Sequence, residues 1–280
     1  MALPLLPLSD DFAVALGLKK SDPPGGDIPE GQEFTRWRIV RMFMFQNEET
    51  PGEHQDMVWA RFCAEYLPAT VDRLLNHLPV PWDADESIYH ERDMKSADDF
   101  AACNPWLEML VQIQNTLYLG KYLRSNKPIA AEGKRLAQVL AERVAAVGTR
   151  WDAKIRTAST NQEREFYKDT AAKAVQLLAT VCTHFINERD RTRVISKETQ
   201  VKLAMIPGVW GKRYEDQFLG DVSERMIWFM AGFGDEMFNQ MRRMYKNWEV
   251  CGLESCQVRK GLKACGKCQT ARYVSCIIFL

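Results

Sequence analysis

Apolar residues in the first 250 positions recur at three- and four-residue steps, punctuated by proline, glycine and capping residues, and this pattern predicts a succession of helices. Ser9-Asp10-Asp11 opens a short helix through Leu16, and Asp22-Pro23-Pro24-Gly25-Gly26-Asp27 reads as a loop. A helix over 32–46 carries Trp37, Val40, Arg41 and Met44 on one stripe. Thr50-Pro51-Gly52-Glu53 combines a capping box with proline at the first helical position. The helix it opens buries Val58, Phe62 and Tyr66 and stops before Pro68. Pro68 starts a short helix to His77, and Ser96-Ala97-Asp98-Asp99 caps another. Asn104-Pro105 opens a helix with the stripe Trp106, Leu110, Ile113 and Leu117. Residues 129–147 show Leu136, Val139, Leu140, Val144 and Val147 before Gly148 terminates the run. From Thr160 to about Arg189 the stripe is Phe166, Ala171, Ala174, Leu178, Val181 and Phe185. Three more helices fit 197–206, 223–231 and 235–247, the last with Met237, Met241, Met244 and Trp248 on one face.

Period-two alternation bounded by Asn-Gly or Asp-Gly turns is missing. The expected fold class is therefore all-α, an irregular multi-helix bundle or solenoid-like body over residues 1–247. Tryptophans at 37, 59, 82 and 106 are almost evenly spaced, but their flanking residues share nothing, so no repeat period follows.

Composition narrows the function classes. In 280 residues, 37 Lys+Arg balance 37 Asp+Glu, which removes the excess positive field a general nucleic-acid binder needs. The balance is global and not local: residues 251–280 carry a net +4 and leave residues 1–250 at −4. The apolar start Met1-Ala2-Leu3-Pro4-Leu5-Leu6-Pro7-Leu8 has no basic residues and holds two prolines, unlike a signal peptide. No stretch reaches the ~20 apolar residues of a spanning helix. An intracellular protein, cytoplasmic or nuclear and off the membrane, is expected, with its cysteines as thiols or metal ligands.

Catalytic motifs are absent from residues 1–250: there is no P-loop, dinucleotide fingerprint, His-Glu-x-x-His or nucleophile elbow. Cys182-Thr183-His184 is no thiol–imidazole pair if helical, because residues two apart point about 200° apart. Cys182, Cys63 and Cys103 read as small buried hydrophobes, and His54, His77 and His90 as surface groups.

The chemistry gathers at the C-terminal end, where five of the eight cysteines fall within residues 251–276. Cys251-x4-Cys256 is followed, eight residues on, by Cys265-Gly266-Lys267-Cys268. Two thiolate pairs, each closing a tight knuckle, suit tetrahedral zinc, and Gly266 eases the second turn. The segment from Cys251 to about Tyr273 resembles a MYND-type zinc finger. The resemblance is carried by the first pair, Gly261-Leu262, the second pair, and Ala271-Arg272-Tyr273. It implies zinc held by eight ligands in a cross-brace, binding of partner proteins or peptides (often proline-rich ones), and roles in regulatory complexes. Here the family's third and fourth ligand pairs do not follow: Val274 stands at the fifth ligand position and Cys276 is out of register.

The metal ligands expected are thus Cys251, Cys256, Cys265 and Cys268, holding at most one zinc in a truncated finger over 248–273. Residues 274–280, Val-Ser-Cys-Ile-Ile-Phe-Leu, form an apolar tail that has the character of translated intron, since Val-Ser after Tyr273 can be encoded by a splice-donor sequence. Three functions compete. The first is a helical scaffold presenting a zinc-binding, peptide-docking module, not an enzyme. The second is a metal-free scaffold with a vestigial finger. The third is a relative of MYND-associated lysine methyltransferases, which would require strands and an Asn-His-Ser-Cys motif that the chain lacks.

Overall fold

The computed structural model describes residues 6–22, 24–76, 100–125, 127–185 and 193–232, together with the backbone at 263–264 and 272–273. Among these residues nine α-helices follow in order. They are α1 (Ser9–Ala15), α2 (Glu33–Glu48), α3 (Gly52–Asn76), α4 (Pro105–Ile113), α5 (Leu117–Arg124), α6 (Ala131–Thr157), α7 (Asn161–His184), α8 (Lys197–Arg213) and α9 (Phe218–Ala231). A single 3₁₀ turn, Pro128–Ala130, leads into α6. The body is all-α. Past it, β1 (Lys263–Ala264) and β2 (Arg272–Tyr273) pair antiparallel, Lys263 opposite Tyr273 and Ala264 opposite Arg272. No described helix is long and apolar enough to cross a membrane.

Side-chain caps set three of the helix starts. Asn104 Oδ1 accepts from the amides of Trp106 and Leu107 at 3.0 and 2.9 Å, with Pro105 in the first turn. Thr160 Oγ1 accepts from the Glu163 amide at 3.1 Å, while the Glu163 carboxylate takes the Ser159 amide at 2.8 Å. Ser196 Oγ accepts from the Thr199 amide at 3.3 Å and opens α8. The left-handed Gly232 (φ 80°) closes α9.

One apolar cluster runs from Phe12 in α1 to Phe229 in α9 and draws on every helix between. The stripe Leu136, Leu140, Val144, Val147 and Trp151 of α6 is buried against α7 and α8. Trp151 stacks on Trp210 of α8 with ring centroids 6.5 Å apart, and Trp210 Nε1 donates to Asp152 Oδ1 at 3.1 Å. A half-buried ion pair ties α4 to α7. Lys173 Nζ of α7 donates to both oxygens of Glu108 on α4, at 2.9 and 3.1 Å, and Trp37 Nε1 of α2 donates to the same carboxylate.

Several boundaries differ from those the punctuation predicts. Pro68 does not stop a helix: α3 is one 25-residue helix with Pro68 inside it. Val58, Phe62, Leu67, Val71 and Leu74 are buried on both sides of the proline, and that continuous stripe outweighs the roughly 3 kcal/mol an interior proline costs. Pro207 is likewise interior to α8, flanked by buried Leu203, Ile206 and Trp210. Gly148 does not terminate α6; a Cβ there would meet Ile206 Cδ1 at 2.7 Å, so it is a close-packing position against α8. The stripe through Leu117 is split, since α4 ends at Ile113 and α5 begins at Leu117. Arg41 belongs to the exposed face of α2, its guanidinium 5.0 Å above the Trp37 ring. Thr50 spends its hydroxyl on the Asn47 carbonyl at 2.7 Å, closing α2 instead of boxing the start of α3. The helices expected at 77, 96–99 and 235–247 lie outside the described residues.

Candidate functional site

The four expected metal ligands, Cys251, Cys256, Cys265 and Cys268, lie outside the described residues, as do His77 and His90. What the structure places is the frame around the second pair. The ladder between β1 and β2 closes immediately before Cys265 and immediately after Ala271, so the Cys265-Gly266-Lys267-Cys268 segment is bracketed by two paired strands. Among the described residues no group of three or more His, Cys, Asp or Glu side chains converges to hold a metal.

The described cysteines are Cys63 on α3, Cys103 before α4 and Cys182 on α7, all buried. Burial pushes the Cys182 thiol far above its ordinary value, which leaves it protonated and inert. His184, two residues on, is also buried, and its ring packs where a Cβ on Gly120 would fall, at 2.5 Å. The expected reading of these thiols as packing groups holds. His54, in contrast to a purely surface role, is half-buried and places Nε2 3.3 Å from the Pro7 carbonyl.

Sequence reasoning missed one feature of the body: a recess of about 510 Å³ where the loop after α1 meets α2, α3 and α4. Its construction starts from the end of α1, whose last carbonyls have no helical partners. Arg36 of α2 reaches across, donating through Nη1 to the Ala15 carbonyl at 3.2 Å and through Nη2 to the carbonyls of Ile28 and Pro29. Trp106 Nε1 takes the Leu16 carbonyl at 3.2 Å. Gly17 turns the chain at φ 70°, and a Cβ there would lie 2.6 Å from Arg36 Nη1. Only glycine satisfies both demands.

The charges around this recess are largely matched internally. Lys20 pairs with Asp27 at 3.4 Å, Arg73 with Glu30 at 3.9 Å, and Lys19 with Asp10 at 2.5 Å. Burial lowers the pKa of the Arg36 guanidinium, although nearby Glu33, Glu30 and Asp27 favour its charge. The lining supplies no histidine, cysteine or hydroxyl side chain, and its lysines and carboxylates are largely engaged in the ion pairs above. Its chemistry is that of a clasp holding α1 and the 27–33 loop to the body. The signal for it was present only as Gly17 followed by the Pro-Gly loop; the reach of Arg36 has no local signature. Comparisons with known families, with curated proteins and with solved structures found nothing that this chain matches.

Proposed function

We propose that the chain is a protein-interaction protein: a helical scaffold that presents a zinc-binding module of MYND type, built on Cys251, Cys256, Cys265 and Cys268, to partner peptides. The observation that carries the reading is the antiparallel pairing of Lys263–Ala264 with Arg272–Tyr273, which brackets the second cysteine pair. Residue type and spacing supply a zinc-suited donor set, and the paired strands supply a knuckle-like setting independent of those cysteines. Four ligands suffice for one ion, so the module carries at most one zinc where the family arrangement carries two. Zinc bound there has a structural role: it exchanges four thiol protons for metal–sulfur bonds and so contributes its binding energy to folding of the segment. The reading assigns no catalysis to the chain.

Calorimetric titration of the full chain with proline-rich peptides tests it. Binding in the presence of zinc that is abolished by chelation and by Cys265→Ser is the expected result. Affinity for no such peptide, or affinity indifferent to both chelator and Cys265→Ser, would overturn it.

A further inference from the structure

The outward face of α2 is basic at one end and acidic at the other. At about 100° per residue, Arg38, Arg41, Met42, Phe45, Glu48 and Glu49 all fall within about 60° of Phe45, and they span about 17 Å of the helix. Each of the six is exposed, while Trp37, Val40, Met44 and Asn47 bury the other side. Both arginines precede the apolar pair and both glutamates follow it. Met42 and Phe45 are 49% and 64% exposed, and Phe45 is the most exposed aromatic side chain among the described residues.

The helix by itself does not account for this order of charges. Glu48 and Glu49 stand at the negative end of the α2 dipole, and the last turn holds no basic residue to offset them. Arg38 and Arg41 lie over the Phe34 and Trp37 rings, 5.8 and 5.0 Å from the centroids. Among the described residues none of these four side chains has an ion-pair partner. The surrounding charges leave the pattern intact. Glu33 and Arg36 are buried on the inner side of α2, and Glu108, Asp169 and Lys173 pair with one another beside Trp37. Glu53 and Asp56, exposed at the start of α3, add negative charge to the end that already carries it.

We propose that this face pairs with the same face of a second copy of the chain, the two α2 helices running antiparallel about a two-fold axis beside Phe45. Reversing the helix exchanges its basic and acidic ends, so the face is self-complementary, as a two-fold interface requires. Glu48 and Glu49 of one copy fall against Arg41 and Arg38 of the other, and the same two pairs recur across the axis. Arg41 and Glu48 lie on one flank of the seam and Arg38 and Glu49 on the other, so the pairs do not cross. Met42 and Phe45 of both copies fill the centre, the residue types that interface centres favour. A parallel arrangement sets arginine against arginine and glutamate against glutamate and is repelled. A peptide of uniform charge matches only one half of the face. The patch is small, so the dimer is weak and sensitive to salt, and it forms whether or not the cysteines take zinc.

Sedimentation velocity of the purified full chain, under reducing conditions and over a range of concentrations, decides the proposal. The parent should dimerise reversibly. Phe45→Glu, at a residue already 64% exposed, should weaken the dimer at least about tenfold with an unchanged circular dichroism spectrum. Arg38→Glu with Arg41→Glu makes the face wholly acidic, and Glu48→Arg with Glu49→Arg makes it wholly basic. Each of these double variants should be monomeric alone, and their equimolar mixture should form a heterodimer, a recovery that unfolded chains could not give. A parent that stays monomeric at about 100 μM, where weak interfaces associate, would overturn the proposal. So would self-association that survives in all three variants, or a mixture that remains monomeric.

Discussion

Asp10, in the first turn of α1, is the residue on which the N-terminal clasp converges. Its carboxylate accepts from Tyr66 of α3 at 2.9 Å and from Lys19 at 2.5 Å, with Arg61 of α3 at 3.6 Å. Burial alone would raise its pKa, but the Lys19 and Tyr66 hydrogen bonds and the Arg61 charge outweigh it and hold the carboxyl below its ordinary value. A depressed folded-state pKa means the contribution is complete above the unfolded value of about 3.8 and is lost as pH falls through the folded value. Asp10→Asn should therefore lower stability by on the order of 1 kcal/mol at pH 6.5, after allowance for partial exposure. In urea titrations the gap between variant and parent should close as the pH drops below 4. A gap independent of pH would show that Asp10 acts through packing alone. The same residue illustrates what is hidden in sequence: Ser9-Asp10-Asp11 reads correctly as a helix start, but that reading is local. The partners of Asp10 come from positions 19, 61 and 66, which no periodicity brings together.

Helices were legible where apolar stripes run, and their ends were legible only where a side chain caps them. Asn104 and Thr160 mark starts because a cap is a contact within three residues. Pro68 and Gly148 were misleading as stops, and the helix expected over 197–206 runs on through Pro207, because each penalty is local and modest while the buried stripe spanning it is a tertiary sum. The tie between α4 and α7 is a tertiary fact of the same sort. Lys173 has its charge favoured: burial opposes it, but Glu108 and Asp169 outweigh the burial and raise its pKa. Removing one partner of this pair strands the other in a mostly buried site. Lys173→Met should cost about 3 kcal/mol, and adding Glu108→Leu should recover most of that loss. A double-mutant cycle in urea checks it. Additive losses, each under about 1 kcal/mol, would mean that the pair is in effect solvated.

At the scale of the whole molecule, the proposal separates the stability of the body from that of the cysteine segment. The body buries one continuous core from Phe12 to Phe229 with its caps and stripes complete. It needs no metal, so circular dichroism of the full chain should keep its helical minima in excess chelator. Loss of the helical spectrum on chelation would make zinc a ligand of the body instead. The proposed site rests on residue type and spacing, since its four cysteines lie outside the described residues. What spacing does not convey is the pairing of β1 with β2 on either side of the second pair. The central claim, that Cys251, Cys256, Cys265 and Cys268 form one zinc site, is tested most directly by elemental analysis of the purified full chain beside its Cys265→Ser, Cys268→Ser variant. The account predicts no more than one zinc per chain in the parent, retained through gel filtration and lost in the variant. Two tightly held zincs, or zinc absent from the parent or undiminished in the variant, would contradict it.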